Sequence, residues 1–384
     1  MKKIVVVFGG ASPEHEVSVI TGIQVIEKID RSLFVPFPVY MDKDGVFHLL
    51  KNFSNRNDFN INRKTSISFG SDKNGAYFRN NHFFGRKTYF ECAYLALHGG
   101  VGESGQIQGF FETIGSPYTS PSVESSSIAM NKSLTKEVLA SYRIKTVKSE
   151  GYLSSEIESG IESILNSTTI KLPVIVKPAH LGSSIGIGIA RTKIELKKLL
   201  LSTSQVDTEV LIEKFLSPIK EYNISVRSVS SGTLEVSEIE MPLTNEQMLT
   251  FADKYQRGGK KSGGMANLNR QLPAQISSKL ASEIRRIAID AYRAIRAQGL
   301  IRIDFMVHND EIFVTEVNPI PGSMSYYLWE ATGIPFKDQI TESINSSIKH
   351  HSEMRSKKIN YKSDILEKFI STFGLLVFFM LLLK

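Results

Sequence analysis

A chain of 384 residues, 41% hydrophobic and 22% charged, has the balance of a soluble globular protein and is too long for one ordinary core, so two or three domains are expected. Its net charge of +7 comes without any nucleic-acid-binding motif, so a solvated basic surface is the expected meaning, and no nucleic-acid partner is expected. The single cysteine, Cys92, excludes a disulfide framework and a multi-cysteine zinc site, and in its apolar run it reads as a buried thiol of a cytoplasmic protein.

The chain opens on β-formers, Ile4 to Phe8, that end in Gly9-Gly10, and no signal peptide is expected there. A helix follows, with Val17, Ile20, Ile23 and Ile26 near helical spacing; strand, glycine turn and helix begin a βαβ layer. Residues 50–88 are polar and predict short strands and loops. Residues 93–97 predict a strand running into His98-Gly99-Gly100, and Ile107, Phe110, Phe111 and Ile114 mark one face of the next helix. The serine-rich residues 116–127 read as a domain boundary. Beyond it come a helix near 132–142 and a loop-rich section to Ile170. Strands at 173–178 and 185–190 flank a glycine-serine loop; a helix at 195–201 and strands at 209–215, 221–229 and 234–240 follow. Residues 257–264 carry four glycines and two lysines, the composition of a mobile loop. Leu280, Ile284, Ile287, Ala288, Ala291 and Ile295 describe a long amphipathic helix. The end of the chain is unusual: residues 369–383 (FISTFGLLVFFMLLL) are almost wholly apolar yet short of the ~20 residues a bilayer crossing needs. A weak membrane contact, a helix packed on the body and an unrelated tail all stay open.

Three constellations carry chemistry. Ile301, Ile303, Phe305 and Val307 alternate with Arg302, Asp304 and Met306, while Phe313, Thr315 and Val317 alternate with Val314, Glu316 and Asn318. A three-residue turn at 309–311 would set Asp304 opposite Glu316 and Arg302 opposite Asn318 on one face. Facing carboxylates repel unless a cation joins them, and hard oxygen donors suit Mg²⁺; a half-exposed hairpin with incidental charges is the alternative. The second constellation is Lys177-Pro178-Ala179-His180-Leu181-Gly182-Ser183-Ser184, where a lysine and backbone N–H groups suit a phosphate, or where a plain hairpin turn stands. In the third, Glu213-Lys214-Phe215-Leu216 with Glu221 beyond, a strand end beside an aromatic suits an adenine and a carboxylate suits a ribose.

The motifs in order are Gly9-Gly10-Ala11-Ser12-Pro13-Glu14-His15-Glu16-Val17-Ser18, His98-Gly99-Gly100-Val101-Gly102-Glu103-Ser104-Gly105, Ile175-Val176-Lys177-Pro178, Leu211-Ile212-Glu213-Lys214-Phe215, Arg302-Ile303-Asp304-Phe305 and Glu316-Val317-Asn318-Pro319-Ile320-Pro321-Gly322. Together, from Lys3 to about Lys349, they resemble the D-alanine–D-alanine ligase family. The resemblance implies a mixed α/β chain, an ATP-grasp fold preceded by a Rossmann-like βαβ domain. Its divisions would be 1–120 (N-terminal), 121–212 (central), 213–350 (C-terminal, with metal site and lid) and 351–384 (tail). It implies ATP-dependent joining of two D-alanines through an acyl phosphate for peptidoglycan precursors, in the cytoplasm, in a protein that is commonly a homodimer.

Carried over residue by residue, the resemblance assigns Lys132 and Lys177 to the nucleotide phosphates. Glu213 and Leu216, with Lys214 and Phe215 between them, face adenine, and Glu221 the ribose. Asp304, Glu316 and Asn318 hold two Mg²⁺ ions, with Mn²⁺ a substitute. Lys254 reaches the γ-phosphate at the start of the lid, residues 257–264. Glu14 binds the ammonium of the first D-amino acid and is linked to Ser183 and Tyr255, with Ser183 also near the nucleotide. His98 lies beside the substrate carboxylate, and Arg302 and the Gly322 N–H stabilise the oxyanion. For Glu14, capping of the first helix is the plainer alternative.

The chain departs from the family after Gly322. Ser323-Met324-Ser325-Tyr326-Tyr327 places tyrosines where a small hydroxyl residue is expected at the acceptor carboxylate. Tyr327, or Ser323 or Ser325, would then take that role. This leaves another acceptor open (D-lactate, D-serine or an L-amino acid), as well as a non-catalytic ATP-binding regulator.

Overall fold

β1 (Lys2–Gly9) carries Ile4, Val5, Val6, Val7 and Phe8, all fully buried, because a strand covered on both faces favours such β-branched and aromatic residues. The computed structural model describes residues 1–81, 85–182, 185–243, 270–357 and 363–370. Within them Met1–Lys349 forms one unit and His350–Lys384 a second.

After β1 and α1 (His15–Lys28) comes β2 (Phe34–Met41), then β3 (Phe47–Leu50), β4 (Lys64–Asp72), β5 (Gly75–Asn80), β6 (Thr88–Tyr89), β7 (Cys92–Leu95) and α2 (Gln106–Thr113). The sheet order is β6-β5-β4-β3-β2-β1-β7. Only β2, β1 and β7 run parallel, which is the expected βαβ layer. The polar stretch after residue 50 adds antiparallel strands whose Ile67, Ala76 and Phe78 reach the same core. Cys92 is fully buried there.

α1 does not bury the face its apolar residues suggest. Ser18, Thr21, Gly22, Val25 and Ile26 point inward, while Ile20 is 37% exposed. The cause is close approach: a Cβ on Gly22 would lie 2.3 Å from the Phe8 ring, so only small residues fit. The Ser18 hydroxyl accepts from Gly9 N–H at 2.8 Å and donates to the Ala96 carbonyl at 2.7 Å, tying the helix to the chain after β7.

The middle of the chain holds α3 (Val123–Met130), α4 (Lys132–Ser141), β8 (Ser149–Leu153), α5 (Ser154–Ser167), β9 (Val174–Pro178), β10 (Gly188–Ala190), α6 (Lys193–Thr203) and β11 (Glu209–Lys214). The strands form an antiparallel sheet in the order β10-β9-β11-β8. The loop-rich expectation up to Ile170 is corrected, since β8 and α5 lie within it. α5 buries only Ile157, Ile164 and Leu165 and is broken at Gly160, too sparse a pattern for a clear helical period.

Next come β12 (Lys220–Ser228), β13 (Leu234–Val236), β14 (Met241–Pro242), β15 (Arg270–Gln271), α7 (Ser278–Ala294), β16 (Leu300–His308) and β17 (Glu311–Asn318). A second antiparallel sheet runs β13-β12-β16-β17, with α7 packed on it through Ile284, Ala288 and Ala291. α8 (Tyr326–Ala331) and α9 (Phe336–Ser356) complete the elements, and Phe336, Ile340 and Ile344 return to the first core.

The β16–β17 register pairs Arg302 with Asn318 and Asp304 with Glu316, as the alternation predicts. The turn is shorter than expected: His308 pairs with Glu311, leaving Asn309 and Asp310, both left-handed, as a two-residue type I′ turn. A bulge at Thr315 supplies the missing step, and its hydroxyl donates to the Asp304 carbonyl at 2.9 Å. Between turn and bulge the inward residues are therefore Ile312 and Val314, not Phe313 and Thr315.

In the second unit, residues 365–370 are helical, and Ile365, Leu366, Phe369 and Ile370 are exposed. No described helix is long and apolar enough to cross a membrane. Most of the apolar tail, residues 371–384, lies outside the described residues, as do Ser183, Lys254, Tyr255 and the glycine-rich 257–264.

Candidate active site

A polar pocket of about 630 Å³, open to solvent, gathers residues of β16 and β17, the start of α1, α4 and the loops after β7, β9 and β17. Glu14 reaches it from the N-cap position of α1, where its side chain makes no capping hydrogen bond. Its place is set by Ser12, whose hydroxyl accepts from the Glu14 N–H at 2.9 Å and donates to the His98 carbonyl at 2.6 Å. Gly99 closes the approach: its φ is +67°, and a Cβ there would lie 2.7 Å from Glu14 Oε2.

Two cations line the same pocket. Lys132, in the first turn of α4, lies 3.3 Å from Glu316 and donates to the Leu181 carbonyl at 2.7 Å. Arg302 donates through Nε and Nη2 to both oxygens of Asp304, at 2.6 and 2.7 Å, and Asn318 donates to Asp304 Oδ2 at 3.1 Å. Burial opposes the charge on Arg302, but the Asp304 carboxylate outweighs it and holds the guanidinium protonated. Gly182, Glu316, Asn318 and Gly322 also line the pocket. Among the described residues no three His, Cys, Asp or Glu side chains cluster as a cation cage. The set on this face is instead two carboxylates and an amide, hard donors that fit Mg²⁺ when substrate phosphates complete the shell.

Lys177 on β9 and Glu213 on β11 sit side by side, with Lys177 Nζ 2.9 Å from Glu213 Oε1. The other Glu213 oxygen is paired with Lys136, a residue the motifs do not contain. Its signal was present in the spacing, since Lys136 follows Lys132 by four residues on one helix face. Burial opposes ionisation of Glu213, yet the two lysines outweigh it and its pKa is lowered. One carboxylate cannot compensate two buried ammonium groups, and burial pushes Lys136 down to about 8. Beyond Glu213, Lys214 is exposed, Phe215 half-buried and Leu216 buried at the end of the strand. Glu221 is half-buried on β12, opposite Met306.

His98 lines the same pocket. It is 3% exposed, Nδ1 lies 2.8 Å from the Ile320 carbonyl and Nε2 lies 2.7 Å from the Thr21 hydroxyl. Both ring nitrogens are engaged within the protein, and burial lowers its pKa to about 4. Glu103, quoted within a motif but given no role, accepts from the Gly99 N–H at 2.9 Å and the Ile320 N–H at 3.1 Å. Burial, and then the charge of Glu14, push its pKa up to about 8.

The acceptor candidates Ser323, Ser325 and Tyr327 are all buried. Ser323 is 2% exposed and left-handed, like Met324 and Ser325 after it. The Tyr327 hydroxyl lies 3.1 Å from Glu240 Oε1, and the Arg270 guanidinium lies 4.0 Å over its ring. Neither Ser323 nor Tyr327 lines the pocket described above.

Two family models match the chain, the D-ala D-ala ligase N-terminus over residues 3–121 and the D-ala D-ala ligase C-terminus over residues 138–345. The chain is 32% identical over 375 residues to D-alanine–D-alanine ligase of Thermosipho africanus, covering 96% of this chain and 99% of that protein. It is 34% identical over 338 residues to the Sulfurimonas denitrificans ligase, covering 86% of this chain and 90% of that protein. The solved D-alanine-D-alanine ligase of Coxiella burnetii superposes with a TM-score of 0.79 at 23% identity, over 92% of this chain and 96% of that one, which shows the shared ATP-grasp fold. With both family models and relatives matched over nearly its whole length, this chain belongs to the D-alanine–D-alanine ligase family.

Proposed function

We propose that this ATP-dependent ligase joins two D-alanines to D-alanyl-D-alanine for peptidoglycan precursors, and that the pocket between Glu14 and the Arg302–Asp304 face is its active site. The observation that carries the reading is that Glu14 lines one pocket with Lys132, Arg302 and Glu316. An amino acid held by its ammonium at Glu14 would present its carboxylate to the phosphate-binding side. There Lys132 and Lys177 hold nucleotide phosphates, with Glu213, Leu216 and Glu221 toward the nucleoside. Asp304, Glu316 and Asn318 would hold two Mg²⁺ ions, or Mn²⁺, which would offset the negative charge of the phosphates.

A carboxylate oxygen of the first D-alanine bonds to the γ-phosphorus as the bond to ADP breaks, leaving an acyl phosphate. The amine of the second D-alanine then attacks the acyl carbon, sheds a proton, and phosphate departs. Arg302 and the Gly322 N–H receive the oxyanion charge, where pre-placed donors act most strongly in a water-poor site.

The test is incubation of the purified chain with ATP, Mg²⁺ and D-alanine, reading phosphate and dipeptide together. One phosphate per D-alanyl-D-alanine is expected with D-alanine alone. Turnover only after adding D-serine, D-lactate or an L-amino acid would move the acceptor, in keeping with a Tyr327 hydroxyl turned to Glu240. ATP binding without turnover on any pair would sink the enzyme reading.

We also propose a weak membrane contact by the tail, supported by the exposed Ile365, Leu366, Phe369 and Ile370 and the apolar run that follows. The full chain should co-sediment with anionic lipid vesicles, and a chain ending at Lys362 should stay in the supernatant. Equal partitioning of the two would remove the tail from the argument.

A further inference from the structure

We infer that Thr21 is a positioning residue for the ligation, acting through His98 to hold the backbone on both sides of Gly322. The inference rests on the proposed oxyanion role of the Gly322 N–H.

The argument comes from which atoms can donate. The Ile320 carbonyl only accepts, so the 2.8 Å contact requires a proton on His98 Nδ1. The ring is buried and neutral, so Nε2 carries a lone pair, and the Thr21 hydroxyl 2.7 Å away must be its donor. That leaves the Thr21 oxygen free to accept, and the Ser323 N–H points to it at 3.2 Å. The bonds thus run one way, from Ser323 N–H to Thr21, from Thr21 to His98 and from His98 to the Ile320 carbonyl. They leave residues 320–323 and return to them. The Ile320 N–H is held separately by Glu103 at 3.1 Å.

Thr21 is fully buried, and Ile320 and Ser323 are 1% and 2% exposed. Gly322 between them lines the pocket. Its N–H direction is set by its neighbours, because a glycine alone leaves the backbone free to choose. Ser323, Met324 and Ser325 are all left-handed, a conformation that non-glycine residues keep only when their surroundings impose it. The ring of bonds through Thr21 supplies that restraint on the pocket side.

Thr21→Val keeps the shape and removes the hydroxyl, leaving His98 Nε2 and the Ser323 N–H unpaired; Thr21→Ser keeps the hydroxyl. With D-alanine and ATP, T21V is expected to lower kcat about 10-fold or more. It should also raise the ratio of phosphate released to dipeptide formed above one, as acyl phosphate is lost to water. T21S should restore a ratio of one. A partly unfolded sample lowers kcat but leaves the ratio alone, so the ratio separates positioning from folding. Nitrogen NMR of the wild-type chain should find His98 neutral with its proton on Nδ1. A ratio of one in T21V with kcat within twofold of wild type would overturn the inference, as would a proton on Nε2. Failure of the ligase reading itself would show as wild-type protein without dipeptide, a different result.

Discussion

Asp304→Asn is expected to abolish most of the ligation, with kcat for dipeptide synthesis falling about 10³-fold, the equivalent of several kcal/mol of lost charge stabilisation. Asp304 faces Glu316 across the β16–β17 pair and accepts two bonds from Arg302 and one from Asn318. The amide removes a negative charge from the proposed metal face and turns an N–H₂ toward donors that need an acceptor. Arg302 loses the partner that holds it in place, so the site is expected to fail in metal affinity and oxyanion support together. The core beneath it, Ile303 and Phe305, is untouched, so the circular dichroism spectrum should stay near wild type, while the thermal midpoint should fall because buried Arg302 is left without its charged partner. Steady-state kinetics across a Mg²⁺ series decide the matter. A D304N enzyme within fivefold of wild type at every Mg²⁺ level would exclude Asp304 as a ligand.

Glu213→Gln should have the largest effect on stability. The carboxylate is 2% exposed and is the shared partner of Lys136 and Lys177, which link α4 and β9 to β11. Removing one member of a buried charge set strands the others, at about 3–5 kcal/mol. The urea midpoint of E213Q should fall accordingly, and coincident circular dichroism and fluorescence transitions would show whether the loss is global. The wild-type chain has a related pH signature. Burial holds Lys136 at about 8 in the folded chain, against an ordinary 10.5. Between those values the unfolded chain binds more protons, so the Lys136 contribution to stability rises with pH across that window. Without the Glu213 charge to support it, Lys136 should titrate lower still, and the window should widen downward. An E213Q midpoint equal to wild type would mean that the two lysines find other partners.

How far the sequence could be read depended on whether the physics was local. The alternation in β16 and β17 predicts the Asp304–Glu316 and Arg302–Asn318 pairs because a strand repeats every two residues. It could not reveal the bulge at Thr315, since a bulge leaves no mark on composition, and so the inward residues nearer the turn were assigned to the wrong face. α1 misled for another reason. Its inward face is chosen by how closely the helix lies on Phe8, a tertiary fact that favours Ser18, Thr21 and Gly22 over Ile20. β8 and α5 were hidden by weak apolar periodicity. In the site, lysines and carboxylates on recognisable strands were legible through their motifs, and Glu14 only through the family resemblance. Lys136 shares a helix face with Lys132, a local sign of its place, but its partner Glu213 lies 77 residues on; Glu103 and Thr21 act by contacts across 217 and 302 residues of chain, and no local pattern announces those.

The bulge at Thr315 bears on how this hairpin tolerates insertions and deletions. On the turn side of it, partners are matched one way, as in His308 with Glu311; on the pocket side they are matched one residue differently, as in Asp304 with Glu316. The two stretches are therefore out of phase, and the Thr315 hydroxyl anchors the step at the Asp304 backbone. A residue gained at the Asn309–Asp310 tip can be absorbed there as a longer turn without rotating the carboxylates out of the pocket. A residue lost at Thr315 closes the bulge and leaves Phe305 with Val314 and Asp304 with Glu316, so the pairs survive and only the Thr315 anchor is lost. Length variation among relatives should accordingly gather at the tip and at the bulge, the two places where a residue can come or go while Asp304 stays opposite Glu316.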